Sequence, residues 1–594
     1  MKNKSSQNIF AIIITTLSLV NIYAYGQNLD QTNKIVASDR FSYDNFGTSV
    51  AIYGNTAIIG APQKTVYTSF TEFTAYAGSA YVYDIDENGI WKETQQLTPS
   101  NTGDGYNFGQ SVDIYENLII IGAKEHTGST EDVGAAYIFE RNEIGVWNEV
   151  TRLQHADAIA NDNFGSSVSI NNKFAIVGTF KKTVEGKTNA GAVYVFKNNN
   201  DNTWTESQKI TASDTQANDN FGNTVSIDKN TFLVGAKGKN NNTGCAYFFT
   251  YNSSNQLWEE QQKVSAADVE LGDSFGFSVS ITEDKAIIGA NNEGNNSSLI
   301  KAGAAYIFKQ NSSNQWIEDQ KIVADDRSSE DLFGSSVAIF QDYAIVGAEY
   351  EDEDISGSNT LSNSGSAYYY HLNSSGSWTQ IQKIKASDKT AGDSFGCAVD
   401  IFGNKAIIGA FNESHDANGA NQFINAGSGY MFSIANTHVI ESVAGPGGNI
   451  EPSGFYILED GDYVTYTITP ENNFIISAIK INGVSTVIQN TMTISDLTSD
   501  KKIEVSFDIT SSINSTDENK AISIYPNPAH EYITISVAEP SENKKAQIIN
   551  TNGQVVKVIP LNTNKSTTTS VSELPKGTYL LIINKHIPKK FTVI

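Results

Sequence analysis

The residues best suited to chemistry in this chain are acidic, and they come in pairs. Asp39/Asp44, Asp157/Asp162, Asp214/Asp219, Asp268/Asp273, Asp326/Asp331 and Asp388/Asp393 each lie five apart, just ahead of a Phe-Gly dipeptide. Where a further pair is due, Asn101 and Tyr106 stand instead. Two carboxylates at that spacing, completed by carbonyls and water, would hold one weakly bound cation per pair, with calcium the natural candidate. The same side chains would serve as turn caps, each accepting a backbone N–H. Spacing alone leaves both readings open.

A second set is aromatic. Tyr67, Phe70, Phe73 and Tyr76 share one stretch, Phe411, His415 and Phe423 another, and Tyr350 sits among Glu349, Glu351, Asp352, Glu353 and Asp354. Rings beside acids suit sugar stacking, a protein hot spot or a metal-bridged contact; loops of this kind also simply pack on one another. No convergent acid–base or nucleophilic set accompanies them. The histidines (His126, His155, His371, His415, His438, His530 and His586) are scattered without metal-ligand spacing. His-Glu-x-x-His and phosphate-loop patterns are missing from the sequence. The reading is a non-catalytic binding or adhesion protein. A glycan-active enzyme using two carboxylates from different repeats is one alternative, and a structural surface-layer component is the other.

The elements that position these residues repeat. Phe-Gly occurs at Phe46, Phe108, Phe164, Phe221, Phe275, Phe333 and Phe395, 54 to 62 residues apart. Each of these seven is followed, thirteen residues after its glycine, by a second glycine: Gly60, Gly122, Gly178, Gly235, Gly289, Gly347 and Gly409. Repeat 5 gives the grammar: Phe275 to Ile281, Ala286 to Ala290, Gly303 to Phe308 and Trp316 to Ile322 are short β-branched or aromatic runs bounded by turn formers. Four strands per repeat, seven times, predicts an all-β chain built on a seven-bladed β-propeller over residues 28–434. Repeat 7 lacks a fourth strand, and Lys34-Ile35-Val36-Ala37-Ser38-Asp39 matches Lys383-Ile384-Lys385-Ala386-Ser387-Asp388. The N-terminal segment is therefore expected to supply that outer strand and close the ring, which removes exposed edges.

In such a ring the loops between second and third strands share a face with the Asp-bearing links. From the Gly-Ala glycine to the glycine before the third strand, those loops span 18, 12, 13, 9, 14, 18 and 18 residues. The longest belong to blades 6, 7 and 1, neighbours in a closed ring, and they carry the aromatic set. Binding is expected there, since variable loops on a fixed scaffold usually carry it.

The pattern resembles the FG-GAP repeats that build the propeller of integrin α chains, in the bacterial form with Ala-Ser-Asp-x4-Asp-x-Phe-Gly leading into Ser-Val-Ala-Ile, over residues 34–434. Only repeat 1 keeps a full Gly60-Ala61-Pro62; the others end in Lys, Phe, Asn or Glu. The resemblance implies a calcium loop between the first two strands, but the connections here, such as Tyr53-Gly54-Asn55 and Thr282-Glu283-Asp284, lack the length and the carboxylates.

Beyond the array, residues 438–510 read as a small β module similar to Ig-like or grasp-like surface repeats, residues 511–520 as a linker, and residues 521–594 as a further β unit. The last contains Ile524-Tyr525-Pro526-Asn527-Pro528-Ala529, Asn552-Gly553-Gln554-Val555-Val556 and Leu574-Pro575-Lys576-Gly577-Thr578-Tyr579. It resembles the C-terminal sorting domain of type IX secretion in Bacteroidetes, a β-sandwich. That likeness implies export through the type IX machinery, removal of the domain, and release or attachment at the outer surface.

Charge and termini agree with an exported protein. The formal charge of −26 opposes nucleic-acid binding, while Ala521 to Ile594 carries eight lysines against four glutamates. Residues 1–26 read as a signal peptide, with Lys2 and Lys4 before an apolar run and Ala24-Tyr25-Gly26 before a cleavage point at Gln27. No later run is long and apolar enough for a transmembrane span, and two cysteines, Cys245 and Cys397, make no disulfide framework. The expected partner, besides the export machinery, is an extracellular polysaccharide or protein.

Overall fold

A computed structural model describes residues 28–67, 73–125, 133–294, 299–352, 360–495, 497–509, 522–537, 545–550, 554–561, 566–583 and 589–593. The expected signal peptide and linker, Phe70, His126, Glu353 and Asp354 lie outside them.

Residues 28–434 form seven four-stranded antiparallel sheets. In repeat 5 the strands are Val279–Thr282, Lys285–Ala290, Ala304–Gln310 and Trp316–Ile322, paired in sequence order. Burial follows composition. The second strand (KAIIGA) is buried over its last five residues and the third (AAYIFKQ) over its first five, as continuous apolar runs covered on both faces should be. The fourth strand, WIEDQKI, buries only its apolar ends and exposes its centre. Between third and fourth strands the register slips at Ile307/Phe308, a bulge that strengthens local twist.

The recurrent phenylalanine and the two recurrent glycines have one cause, the close approach of consecutive sheets. Phe275 is fully buried and meets Tyr306 and Phe308 edge-on, with ring centres 5.4 and 6.1 Å away. Its backbone pairs with Gly244 of the preceding repeat. A Cβ on Gly289 would lie 2.2 Å from the carbonyl oxygen of Gly334, the Phe-Gly glycine of the next repeat. No side chain larger than hydrogen fits there without moving backbone. The same contact recurs from each repeat to the next, and Gly409 of repeat 7 meets Gly47 of repeat 1 at 2.0 Å in the same sense.

Side chains of the first strands tie the sheets further. The Oγ of Ser169, Ser226 and Ser280 accepts the backbone N–H of Ile227, Ile281 and Ile339 in the following repeat, at 3.1, 3.2 and 3.2 Å. At the equivalent position Asp113 accepts from Ile170 at 2.8 Å and Asp400 from Ile52 at 2.7 Å. The fourth strands are clasped by glutamine amides: Gln320 accepts from the N–H of Trp378 at 2.8 Å and donates to its carbonyl at 2.7 Å. Gln382 grips Leu29 in the same way, at 2.8 and 3.1 Å. Leu29–Ile35 pairs antiparallel with Ser428–Ile434 and stands as the fourth strand of the seventh sheet.

The chain forms two compact units. One holds the described residues up to Val443 with Pro452–Tyr466 and Met492–Ile503; the other holds Ala444–Glu451, Thr467–Thr491 and those described from Glu504 onward. In the first unit, Phe455 packs against the turns between first and second strands: its ring centre lies 4.8 Å from Phe402, 5.8 Å from Phe340 and 6.4 Å from Tyr53. Gln341 donates to its carbonyl at 2.8 Å, and Lys405 pairs with Asp500 at 2.7 Å. Part of the segment read as a small β module thus contributes to the packing of the repeats. In the second unit, Ile522–Tyr525, Tyr532–Val537 and Ser566–Ser570 make one sheet, and Val555–Pro560, Lys545–Ile549, Gly577–Ile583 and Lys589–Val593 another. A core including Ile533, Ile535, Ile548, Leu581 and Phe591 lies within it.

Candidate functional site

The paired aspartates stand where the links between repeats meet the loops after the second strands. The first of each pair accepts the phenol of the third-strand tyrosine: Asp39 from Tyr81 (2.6 Å), Asp214 from Tyr247 (2.7 Å), Asp268 from Tyr306 (2.9 Å), Asp326 from Tyr368 (2.8 Å), Asp388 from Tyr430 (2.9 Å), and Asp157 from Tyr194. In repeat 2, Asn101 takes this role toward Tyr137 at 2.9 Å. The second of each pair accepts the backbone N–H three residues earlier: Asp44 from Phe41, Asp162 from Ile159, Asp219 from Gln216, Asp273 from Glu270, Asp331 from Ser328 and Asp393 from Thr390, at 2.5 to 2.9 Å. That geometry is a capped turn.

The cations that meet these carboxylates belong to the chain. Lysines of the fourth strands reach the first aspartates: Lys209 to Asp157, Lys263 to Asp214, Lys321 to Asp268, Lys383 to Asp326 and Lys34 to Asp388, at 2.5 to 2.7 Å. Repeats 1, 3 and 4 add buried lysines four residues after the Gly-Ala glycine. Lys64, Lys182 and Lys239 bind Asp44, Asp162 and Asp219 at 2.9, 2.8 and 2.8 Å and also donate to the carbonyls of Asp39, Asp157 and Asp214. Their ammonium groups thus take up the carboxylate and carbonyl oxygens that a calcium ion would require there. At the equivalent position repeats 5, 6 and 7 carry Glu293, Glu351 and Glu413, which pair with Lys321, Lys383 and Lys34 at 3.1, 2.7 and 3.1 Å. Among the described residues no three His, Cys, Asp or Glu side chains gather as a metal site.

This exchange of lysine for glutamate divides the repeats electrostatically. Burial opposes ionisation of Asp157 and Asp214, yet hydrogen bonds from Lys209 and Tyr194, and from Lys263 and Tyr247, hold both carboxyls below the usual range. Asp331 lies near Glu351, with no lysine counterpart to Lys64. Burial, with the charges of Glu351 and Asp326, pushes it up to about 7 against the hydrogen bond from Ser328. Its folded pKa thus exceeds that of an unfolded aspartate, ~4. The stabilisation this confers is complete below that value and lost as pH rises through about 7. Asp331→Asn keeps an acceptor for Ser328 and should raise the melting temperature by several degrees at pH 8 while changing it little at pH 4. Thermal melts across that range check this; equal shifts at both ends would contradict it.

Part of the aromatic set is open to solvent, while Phe411, His415 and Phe423 are half-buried. Tyr67 and Phe73 are 63% and 61% exposed and face each other across a short ladder, ring centres 5.8 Å apart. Tyr76 and Tyr350 are also exposed. Phe423 packs at a tilt against Phe41, ring centres 5.7 Å apart, and lies under the Arg40 guanidinium at 5.5 Å; Arg40 donates to the carbonyls of Ser414 and Asn421 at 3.0 Å each. Asn45 donates to the carbonyl of Phe411 at 3.1 Å, and Tyr43 to that of Ile424 at 2.8 Å. The loop of repeat 7 is thereby joined to the link entering repeat 1. His415 is bound to Glu413 at 3.1 Å, so its ring supports the loop. Among the described residues no ring contact joins Tyr350 to the others.

Sequence reasoning missed Lys64, Lys182 and Lys239, the glutamates that replace them, and the exposed Phe41 and Tyr43. The position four residues after each Gly-Ala glycine carried the signal, running Lys, His, Lys, Lys, Glu, Glu, Glu from repeat 1 to repeat 7.

Comparison with known proteins finds the FG-GAP repeat over residues 29–83, 91–139, 147–196, 204–249, 258–308, 316–370 and 378–432. The secretion system C-terminal sorting domain matches residues 523–593. No curated protein matches the chain. Among solved structures, that of Saccharomyces cerevisiae Sqt1 is similar at 10% identity, covering 73% of this chain and 99% of that one with a TM-score of 0.34.

Proposed function

Because the chain belongs to the FG-GAP repeat family, we propose that it binds an extracellular polysaccharide or protein through the exposed aromatic loops of repeats 7 and 1. Neither matched family is catalytic, and the sorting domain sends the chain through type IX secretion to the cell exterior or surface. The observation that carries the reading is the exposed group of Tyr67, Phe73, Tyr76 and Phe41, with Phe423 held under Arg40. Soluble proteins seldom leave adjoining large rings open unless a surface is used.

In this reading residues 28–434 are a closed seven-bladed propeller. The contact of Gly409 with Gly47 and the pairing of Leu29–Ile35 with Ser428–Ile434 support closure. Residues 438–510 are the Ig-like module and 521–594 the sorting domain. Tyr350 and Phe411 would border the bound ligand, with Phe70 in the same loop as Tyr67.

The test is capture of polysaccharides and matrix proteins by the secreted chain, with calcium and with chelator. Tyr67→Ala and Phe423→Ala should each weaken capture about tenfold or more, as loss of a central aromatic anchor does. Capture indifferent to both substitutions, or no capture of any probe, would remove the aromatic loops as the binding surface and leave the surface-layer role standing.

A further inference from the structure

The link entering repeat 1 departs from its six counterparts at one residue. Immediately before the second aspartate (or Tyr106 in repeat 2) the other repeats carry Gly105, Asn161, Asn218, Gly272, Glu330 and Gly392, all with φ between 63° and 99°. Tyr43 holds the same left-handed conformation at φ 68°. Glycine and asparagine adopt it readily, whereas an aromatic residue there is strained. The fold gains little in return. Tyr43 is 52% exposed, and among the described residues its ring meets no other ring and its phenol makes no hydrogen bond. Strain kept without packing marks a residue held for a contact outside the chain.

Tyr43 belongs to a contiguous set. Its N–H donates to the carbonyl of Ile424 at 2.8 Å, and the ring of Phe41, two residues earlier, lies 5.7 Å from that of Phe423. Phe41 and Ile424 are 53% and 54% exposed, while Phe423 is half-buried beneath the Arg40 guanidinium. Four apolar side chains from two joined segments, 41–43 and 423–424, thus share one patch. Backbone geometry does not demand them. The same bond joins Asn218 to Thr188 and Gly392 to Ser362, at 2.8 Å each, with polar side chains or none.

The groups around the patch define its occupant. Polar side chains beside it are spent within the chain: Arg40 on the carbonyls of Ser414 and Asn421, Asn45 on that of Phe411, and Asn421 on Asp416 at 2.6 Å. A sugar, with a hydroxyl on most of its carbons, would find few partners there. Nearby lysines are turned inward, Lys64 onto Asp44 and Lys34 onto Asp388 and Glu413. Asp39, by contrast, keeps its side chain 46% exposed, and Asp416 borders the exposed residues 417–420. An apolar patch with carboxylates beside it, on a chain of formal charge −26, complements apolar side chains accompanied by lysine or arginine. A polypeptide supplies both.

We propose that Phe41, Tyr43 and Ile424 form a docking patch for a polypeptide segment that carries apolar side chains beside basic ones, with Tyr43 as its anchor. This rests on the reading that the chain binds through the loops of repeats 7 and 1, and it names the class of partner. A tyrosine fixed at its backbone offers a rigid ring and a phenol able to donate to a main-chain carbonyl of the partner.

The experiment exposes the full secreted chain to an array of short random-sequence peptides and to an array of glycans, at low and at raised salt. Retained peptides should be enriched in apolar residues accompanied by Lys or Arg, retention should fall as salt rises, and the glycans should stay bare. Tyr43→Asn and Ile424→Ser import the residue types that Asn161, Asn218 and Ser362 supply at matching positions. Each should lower peptide affinity about tenfold, with the melting temperature unchanged or, for Tyr43→Asn, raised. Retention indifferent to both substitutions while Tyr67→Ala lowers it would overturn the patch and leave the aromatic loops as the binding surface. Glycans retained in place of peptides, or peptides retained without basic residues and without salt dependence, would overturn the class of partner but not that surface. A lower melting temperature for Tyr43→Asn would show that the ring serves the fold, and the proposal would fall. No retention on either array would remove the proposal together with the binding role.

Discussion

A chain lacking residues 28–36 should melt roughly 10 °C or more below the intact protein, since each kcal/mol lost from a large domain lowers the melting temperature by about 2–4 °C. The removed strand buries Leu29 and Ile35, apolar side chains contributing about 2 kcal/mol each. It also carries Lys34, whose ammonium pairs with Asp388 at 2.6 Å and with fully buried Glu413 at 3.1 Å. Without Lys34 the hydrogen bonds left to the Glu413 carboxylate among the described residues come from Ser428 Oγ and from His415, and breaking a buried pair on one side costs about 3–5 kcal/mol. Ser428–Ile434 would then become a bare sheet edge. Calorimetry measures the loss, and a peptide of residues 28–40 added in excess should recover part of it by mass action. An unchanged melting temperature would mean that the N-terminal strand is dispensable and the proposed closure wrong.

What the sequence made legible was what local chemistry dictates. The four-strand grammar of repeat 5 is visible because each strand is bounded by its own turn formers, and the observed strands follow it within a few residues. The match of Lys34-Ile35 to Lys383-Ile384 pointed to a strand whose partner lies about four hundred residues away, because repetition supplied a template. The aspartate pairs were harder. Their caps are local, but what neutralises them is not: Lys64 lies twenty residues from Asp44 in sequence, and only the fold brings its ammonium to 2.9 Å. Whether a carboxylate pair takes up a metal or a lysine therefore depends on a position whose exchange between Lys and Glu makes sense only after the loop is seen folding back on the link. Phe455 was hidden for a related reason. Its segment reads as an ordinary small β module, and nothing local marks the ring that packs on Phe402, Phe340 and Tyr53.

Gly409→Ala should destabilise the protein as severely as Gly122→Ala, although the first lies at the end of the array and the second near its start. A Cβ on Gly122 would stand 2.0 Å from the carbonyl oxygen of Gly165, and one on Gly409 2.0 Å from that of Gly47. In both cases the atom in the way is backbone, which no rotamer change relieves. Gly47 itself sits at φ +94° with its own Cβ position blocked by the carbonyl of Ser428 at 2.4 Å, so it has little freedom to retreat. Overpacking a rigid contact typically costs about 1–3 kcal/mol, and a backbone clash belongs at or above the upper end. Gly577→Ala, where nothing lies within 4 Å of the added atom, is the neutral control. If the seventh sheet did not rest on the first, Gly409→Ala would behave like that control while Gly122→Ala still lowered the melting temperature. Equal losses at the two glycines would mean that residues 47 and 409, at opposite ends of the array, face each other in solution, as the closed propeller requires.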